Sequence, residues 1–370
     1  MYKPKKIILT AGPSISGLEV RYVTDAVKNG WNFHFRDYIE RLENAFARYI
    51  GVKYALTLSS GTAALHMSML GLGIGRGDEV IVPETTFVAS ANVVRYVGAK
   101  PVFVDVERDS WCIDPKKIEK LITKHTKAIM PVHIYGNVSD MNPIQKIAKK
   151  HKLFLVEDAC PSLGATYNGK KTGNLSDVAA FSFQGAKIAV AGEGGMLVTN
   201  NEEIYKLAKY YSNDAKDPNR IFWHTDIGYM NRMSNTQAAL GLAQLERNDE
   251  FVEKKRKIFN WYNKRLGDID GISLNTERKG TKNIYWMSSI VLNKNFGKTR
   301  DQIRDELKKR LIDTRPFFYP VSMFPMYEEQ KTPVAHYIGL NGINLPSGVN
   351  LKEEVVDYIA GEVKQTLSAA

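Results

Sequence analysis

Cysteine is almost missing from this chain. Two occur in 370 residues, Cys112 and Cys160. A protein of this length needs no disulfide staple, and so low a count fits a reducing compartment, so the cytoplasm is the expected location. No apolar run reaches the roughly 18–20 residues that span a bilayer, and no membrane partner is expected. Met1 to Leu9 is basic and then briefly apolar, without the long apolar stretch and small-residue cleavage site of a signal peptide. The seven histidines form no cluster with cysteines or carboxylates, so no metal site is expected. Internal repeats and low-complexity segments are also missing.

Acidic residues are the minority charge, 40 against 51 Lys and Arg, for a net charge of +11. The basic residues come in short groups, such as Lys149-Lys150-His151-Lys152 and Lys254-Lys255-Arg256-Lys257, inside helix-like stretches. These read as solvated helix faces. Neither a concentrated basic patch with interleaved aromatics nor a nucleic-acid-binding module is visible, so no nucleic acid partner is expected. A basic surface of this kind does draw in small anionic ligands.

What is present is the composition of a globular protein, 44% hydrophobic and 25% charged, long enough for a large and a smaller domain. Short runs rich in Val, Ile and Phe read as buried strands: Tyr54 to Leu58, Glu79 to Val82, Pro101 to Asp105, Ala128 to His133, Phe154 to Asp158, Val178 to Phe183 and Met196 to Thr199. Helix-like segments lie between them, including Thr62 to Leu72, Pro115 to Thr123 and Asn142 to Lys150. The alternation predicts an α/β fold with a mostly parallel seven-stranded sheet covered on both faces, and sites beyond the carboxyl ends of the strands. A long helical region from Ser234 to Leu266 follows, then a strand near Tyr285 to Leu292 and helices near Arg300 to Leu311 and Lys352 to Thr366. The expected division is a large domain over 1–245 and a small α+β domain over 246–370.

Four local signals carry chemistry. In Phe181-Ser182-Phe183-Gln184-Gly185-Ala186-Lys187, followed by Gly192-Glu193-Gly194-Gly195, an apolar strand delivers a lysine into a glycine-rich turn. A lysine whose ammonium is disfavoured by burial deprotonates and attacks carbonyls, although most lysines after strands lie on the surface. Phe154-Leu155-Val156-Glu157-Asp158 ends an apolar strand on a carboxylate, which either caps the next segment or points into the crevice as a partner for a ring nitrogen. Ser59-Ser60-Gly61-Thr62 runs from a strand into a helix, where it serves as a simple N-cap or as a phosphate cradle. Phe87, just past another strand, belongs either to the core or to a cofactor stack. Each signal is weak alone, but all four stand at the carboxyl ends of strands of one expected sheet. Two decoys fall away. Gly71 to Gly77 precedes a strand, unlike a dinucleotide fingerprint, and Gly169-Lys170 is followed by Lys171 where a phosphate loop has Ser or Thr. Asn168-Gly169 reads as a tight hairpin turn.

At these residues the sequence resembles the sugar aminotransferases of the fold type I pyridoxal phosphate enzymes. The likeness covers nearly the whole chain and includes Ser59 to Leu65, Gly77 to Pro83, Glu157-Asp158-Ala159, Ser182 to Lys187, Gly192 to Gly195 and Arg232-Met233-Ser234-Asn235. Thr314 to Val321 and Asn341 to Gly348 look most like the GDP-perosamine synthases, which aminate C4 of a GDP-linked 4-keto-6-deoxymannose for cell-surface polysaccharide. The resemblance implies pyridoxal 5'-phosphate, with pyridoxamine 5'-phosphate as its other form, L-glutamate as amino donor and a keto-sugar, nucleotide-linked, as acceptor. It implies that Lys187 bonds the cofactor aldehyde and moves the proton, that Asp158 pairs with the ring nitrogen, and that Phe87 stacks on the ring. Ser60, Gly61, Thr62 and Ser182 would hold the phosphate. It further implies a homodimer with a shared active site, in which an Asn of the partner reaches the phosphate; Asn231 is the candidate, one place later than in the family pattern.

Other departures fall where the substrate is expected: Pro161 where the family carries Gln, His or Glu, Ser322 where perosamine-type enzymes carry His, and a Gly30 to Asp37 loop without the usual Ser and Gly. Gln184-Gly185-Ala186-Lys187 also resembles enzymes that aminate C8 of an octulosonate, a sugar acid without nucleotide. Two further alternatives are a pyridoxamine-dependent sugar dehydratase, which replaces the lysine by histidine, and a non-catalytic regulator on the same fold. Lys187 and Asp158 speak against both.

Overall fold

The structure, a computed structural model, describes residues 2–368. Seven strands form the main sheet: β1 (Tyr54–Leu58), β2 (Glu79–Pro83), β3 (Lys100–Val104), β4 (Thr126–Ile129), β5 (Phe154–Asp158), β6 (Val178–Ser182) and β7 (Gly195–Thr199). Their spatial order is β1-β7-β6-β5-β4-β2-β3. Only β7 runs against its neighbours, pairing antiparallel with both β1 and β6, while the other four pairings are parallel. The carboxyl ends of β1 to β6 therefore meet along one edge.

Alternate residues of these strands feed two cores. Leu56, Leu58, Val80, Val82, Val178 and Ala180 face one. Ala55, Ile81, Ala179 and Phe181 face the other. The first face is covered by helix Gly61–Gly71, which is buried on nearly all sides because helices Ala89–Tyr96 and Glu202–Tyr211 pack against it in turn. The second face is covered by Asp37–Ile50, Met141–His151 and Asn235–Glu246.

The seven strands lie where the sequence places them, within a few residues at their ends, and the Asn168-Gly169 hairpin joins Thr166–Tyr167 to Lys170–Lys171 with both turn residues at positive φ. The C-terminal part differs from expectation. The strand expected near 285–292 is there as Ser288–Leu292, but it belongs to an antiparallel sheet in the spatial order Ile272–Leu274, Ser288–Leu292, Gly342–Leu345, Arg315–Pro316. Strands of two to four residues are too short to show an alternating pattern. The long helix expected over 234–266 breaks at Arg247 into Asn235–Glu246 and Asn248–Leu266. There Arg247 turns its guanidinium inward onto Glu19 and the Ser14 carbonyl, at 2.7 and 3.1 Å.

Glu19 itself opens an unanticipated helix, Gly17–Asn29, as the third residue of a capping box with Ser16. Burial works to raise its pKa, but the hydrogen bonds from Ser16 and Arg247 outweigh burial and hold it at about 2. A carboxyl depressed on folding contributes stability above its unfolded pKa, and that stability is lost as pH falls through the folded value. The stability of the wild type, read by chemical denaturation, should therefore fall between about pH 4.5 and 2, and Glu19→Gln should remove roughly 2 kcal/mol at neutral pH and flatten that part of the profile.

Candidate active site

The edge where six strands end gathers the chemical groups. At the end of β5 successive side chains go to opposite faces. Glu157, fully buried, accepts from Gly173 N, Leu175 N and Ser176 Oγ at 2.8–2.9 Å and pairs with His133 Nε2 at 2.8 Å. That network locks the strand end and so aims Asp158 the other way. Asp158 Oδ2 accepts from Ser90 Oγ at 2.6 Å, and Ser90 in turn meets Thr86 Oγ1 at 2.8 Å. Asp158 Oδ1 accepts from Cys160 N at 3.1 Å. A buried carboxylate with donors on both oxygens is held in one orientation.

Past β6 the chain makes a closed loop. Phe183 N donates to Gly194 O and Ala191 N to Phe183 O, both at 2.8 Å. Within the loop, Lys187 N donates to Gln184 O at 2.8 Å and Ala186 N to Gln184 Oε1 at 2.9 Å. Gly192 and Gly194 supply the positive φ values, 82° and 145°, that return the chain to β7. The loop fixes the base of Lys187, whose side chain is half-buried. Burial lowers the pKa of its amine, and the charges of Cys160 and Asp158 nearby partly restore it. A lysine whose pKa is lowered by burial, beside a fixed carboxylate, is the arrangement that favours carbonyl attack.

Between β1 and its helix, Ser60 caps the N-terminus, with its Oγ accepting from Ala63 N at 3.0 Å. Gly61 is pressed against the neighbouring strand end: an added Cβ would lie 2.8 Å from both Cys160 Sγ and Ser182 Cβ. The helix N-terminus and Ser182 thus sit side by side, with Thr62 half-buried beside them, residues that could hold a phosphate. Phe87 is 56% exposed, with its ring 5.6 Å from that of Phe318. The residue types present fit a phosphorylated pyridine aldehyde: a helix N-terminus for the phosphate, a carboxylate fixed by hydrogen bonds, an amine and an exposed ring. Asn231 is joined through its main chain to this chain's own cradle, its carbonyl accepting from Ser59 N at 2.9 Å.

Three contributors carry no local signal in the sequence. Ser90 and Thr86 look like ordinary helix-start residues. Trp286, a hundred positions beyond the lysine, places its ring centroid 3.9 Å from Lys187 Nζ and donates its Nε1–H to Ala186 O at 2.8 Å. A cavity of about 420 Å³, lined among others by Trp31, Arg36, Glu43, Lys209 and Arg232, lies on the far side of β1 and includes neither Lys187 nor Asp158.

This sheet order, with a shielded lysine, a fixed carboxylate and a helix N-terminus at the strand ends, is that of a pyridoxal phosphate-dependent aminotransferase. The comparisons agree. The model of the DegT/DnrJ/EryC1/StrS aminotransferase family matches residues 13–364, and the chain belongs to that family. It is 42% identical to the GDP-perosamine synthase of Escherichia coli O157:H7 over 98% of this chain and 99% of that protein. It is 41% identical to the GDP-perosamine synthase of Caulobacter vibrioides, over 97% and 98%. Among solved structures, Spr1654 from Streptococcus pneumoniae in its PLP form superposes with a TM-score of 0.92 at 26% identity, covering 98% of this chain and 99% of that one.

Proposed function

We propose that the enzyme moves the amino group of L-glutamate to C4 of a GDP-linked 4-keto-6-deoxymannose, a step toward cell-surface polysaccharide. One observation carries the choice of sugar. Thr314 to Val321, a stretch that resembles perosamine synthases, brings Phe318 against Phe87 at the rim of the site. The near full-length likeness to two GDP-perosamine synthases supports it. The rival octulosonate reading rested on the Gln184-Gly185-Ala186-Lys187 stretch, in which the Gln184 side chain accepts from Ala186 N inside its own turn.

In this reading Lys187 is the nucleophile and the proton carrier, and Asp158 holds the proton on the ring nitrogen. Ser60, Gly61, Thr62 and Ser182 bind the phosphate, and Phe87 covers the ring. When bound, pyridoxal 5'-phosphate supplies an electron sink for the carbon that loses its proton. The unit is a homodimer that shares its active sites. Supporting this, Phe33, Ile221, Phe222 and Ile227 are 84–98% exposed in the single chain, an arrangement that calls for a covering surface. Asn231, on the segment that follows these residues, is assigned to the shared phosphate site. The division into domains over 1–245 and 246–370 stands with this reading, as does a cytoplasmic location, in keeping with two free thiols. Among the described residues no helix is long and apolar enough to cross a membrane.

The test offers L-glutamate with GDP-, UDP- and dTDP-linked 4-keto-6-deoxy sugars and a free keto-sugar acid, following 2-oxoglutarate release. The GDP-sugar should give a kcat/KM at least about tenfold above the rest, the scale of one good specificity contact. Preference for another nucleotide or for the free acid would overturn the sugar assignment and leave the class intact. Sedimentation should give twice the chain mass, and a monomer would remove the shared site.

A further inference from the structure

Helix Asn248–Leu266 carries a lysine that the chemistry above does not use. Lys255 is 3% exposed, and no carboxylate is recorded among its hydrogen-bond partners. Its Nζ donates to Trp286 O at 2.7 Å and to Ser347 O at 2.6 Å, with Ser347 Oγ at 3.4 Å. Burial pulls its pKa down to about 7. Apolar residues tolerate such a position more easily, so a buried amine that spends its donors on main-chain carbonyls calls for a reason.

The reason lies in what those carbonyls support. Tyr285, just before Trp286, has φ +49°, a left-handed conformation that side-chain-bearing residues avoid. It is held there by a flat stack on Phe259 of the same helix, centroids 3.7 Å apart, and by Tyr285 N donating to Asn283 Oδ1 at 2.7 Å. The strained turn points the indole of Trp286 at Lys187 Nζ and its Nε1–H at the Ala186 carbonyl. The tie from Lys255 to Trp286 O adds a hold one residue past the strained position.

We propose that Lys255 is a positioning residue for the amine of Lys187: by pinning Trp286 O and Ser347 O it keeps the Trp286 indole seated on Nζ. The inference rests on the reading of Lys187 as the reacting amine. The seated ring holds the amine by its π face and covers it from one side.

The test reads Lys187 in the cofactor-free protein, with no need for turnover. Acetylation of its amine by acetic anhydride is followed at a fixed pH by peptide mass spectrometry, well below the melting temperature. Trp286→Phe should label roughly threefold faster or more, because the smaller ring loses both cover and hold. Lys255→Met should accelerate labelling in the same direction and by a similar factor. Added to Trp286→Phe it should change the rate no further, since the two act in series. In the holoenzyme, Lys255→Met should lower kcat about tenfold with KM for glutamate within about twofold, the mark of a loss felt in the chemical step. Should Lys255→Met fail to fold, Lys255→Leu, which likewise has no N–H donor, is read in its place. Unchanged or slower labelling in a folded variant, additive effects in the double variant, or failure of both variants to fold would each overturn the proposal. A failure of the Lys187 reading shows separately, as turnover surviving Lys187→Ala.

Discussion

Lys187→Ala is expected to lower glutamate-dependent 2-oxoglutarate release by on the order of 10⁴-fold or more while leaving the fold in place. The two halves of that expectation come from different parts of the loop. Its shape is set by main-chain bonds that alanine keeps: Lys187 N to Gln184 O, Ala191 N to Phe183 O and Phe183 N to Gly194 O. The side chain adds one contact, its Nζ over the Trp286 ring, which is worth about 0.5–2 kcal/mol. Melting temperature should therefore move by a few degrees at most. Turnover has no substitute, because among the residues placed at this edge Lys187 supplies the amine. Lys187→Arg sharpens the result. It keeps the charge and most of the length, but a guanidinium does not deprotonate in a protein. If the amine acts as nucleophile and proton carrier, arginine should be as inactive as alanine; if position 187 merely supplied positive charge, arginine would restore activity. Either variant retaining more than about a tenth of the wild-type rate would sink the mechanism.

The main sheet was legible because each strand is a short apolar run bounded by turns, and strands buried on both faces read as continuous runs. Lys187, Asp158 and the Ser59 to Thr62 turn were legible for a related reason. Each follows one of those strands directly, so strand order alone brings them to one edge. The reversal of β7 left no mark, since an antiparallel strand buried on both sides has the same composition as a parallel one. Of the C-terminal sheet only the strand at Ser288–Leu292 was legible, and two of the others have three residues or fewer. The supports of the site were hidden by distance: Ser90 reaches Asp158 across 68 residues and Trp286 reaches the Lys187 loop across 100. Their side chains are ordinary in their local context. The break at Arg247 shows the limit of periodicity from the other side, where an apolar pattern continued although a polar side chain had turned inward to Glu19.

Asp158→Asn is the complementary case, in which geometry survives and charge does not. The amide has the size of the carboxylate, and its oxygen can still accept from Cys160 N. On the other side its Nδ2 becomes a donor, and Ser90 Oγ, which now donates to Asp158, can accept from it and turn its own proton toward Thr86 Oγ1. The network is re-formed with one proton moved, and the fold should hold. On the proposed reading, what would be lost is the anion that keeps the ring nitrogen of the cofactor protonated, and with it the electron sink. Turnover should fall by roughly 10²- to 10⁴-fold, the range of a lost acid–base partner. The substitution also acts on the lysine, in the opposite sense. The Asp158 charge raises the pKa of Lys187, so its removal lets burial lower that pKa further and leaves more of the amine as free base. In cofactor-free protein Asp158→Asn should therefore speed acetylation of Lys187 even as the holoenzyme slows. An aspartate that served only to tune the lysine would give faster labelling together with undiminished or higher turnover. One that served only to hold the loop would change neither rate in a folded variant.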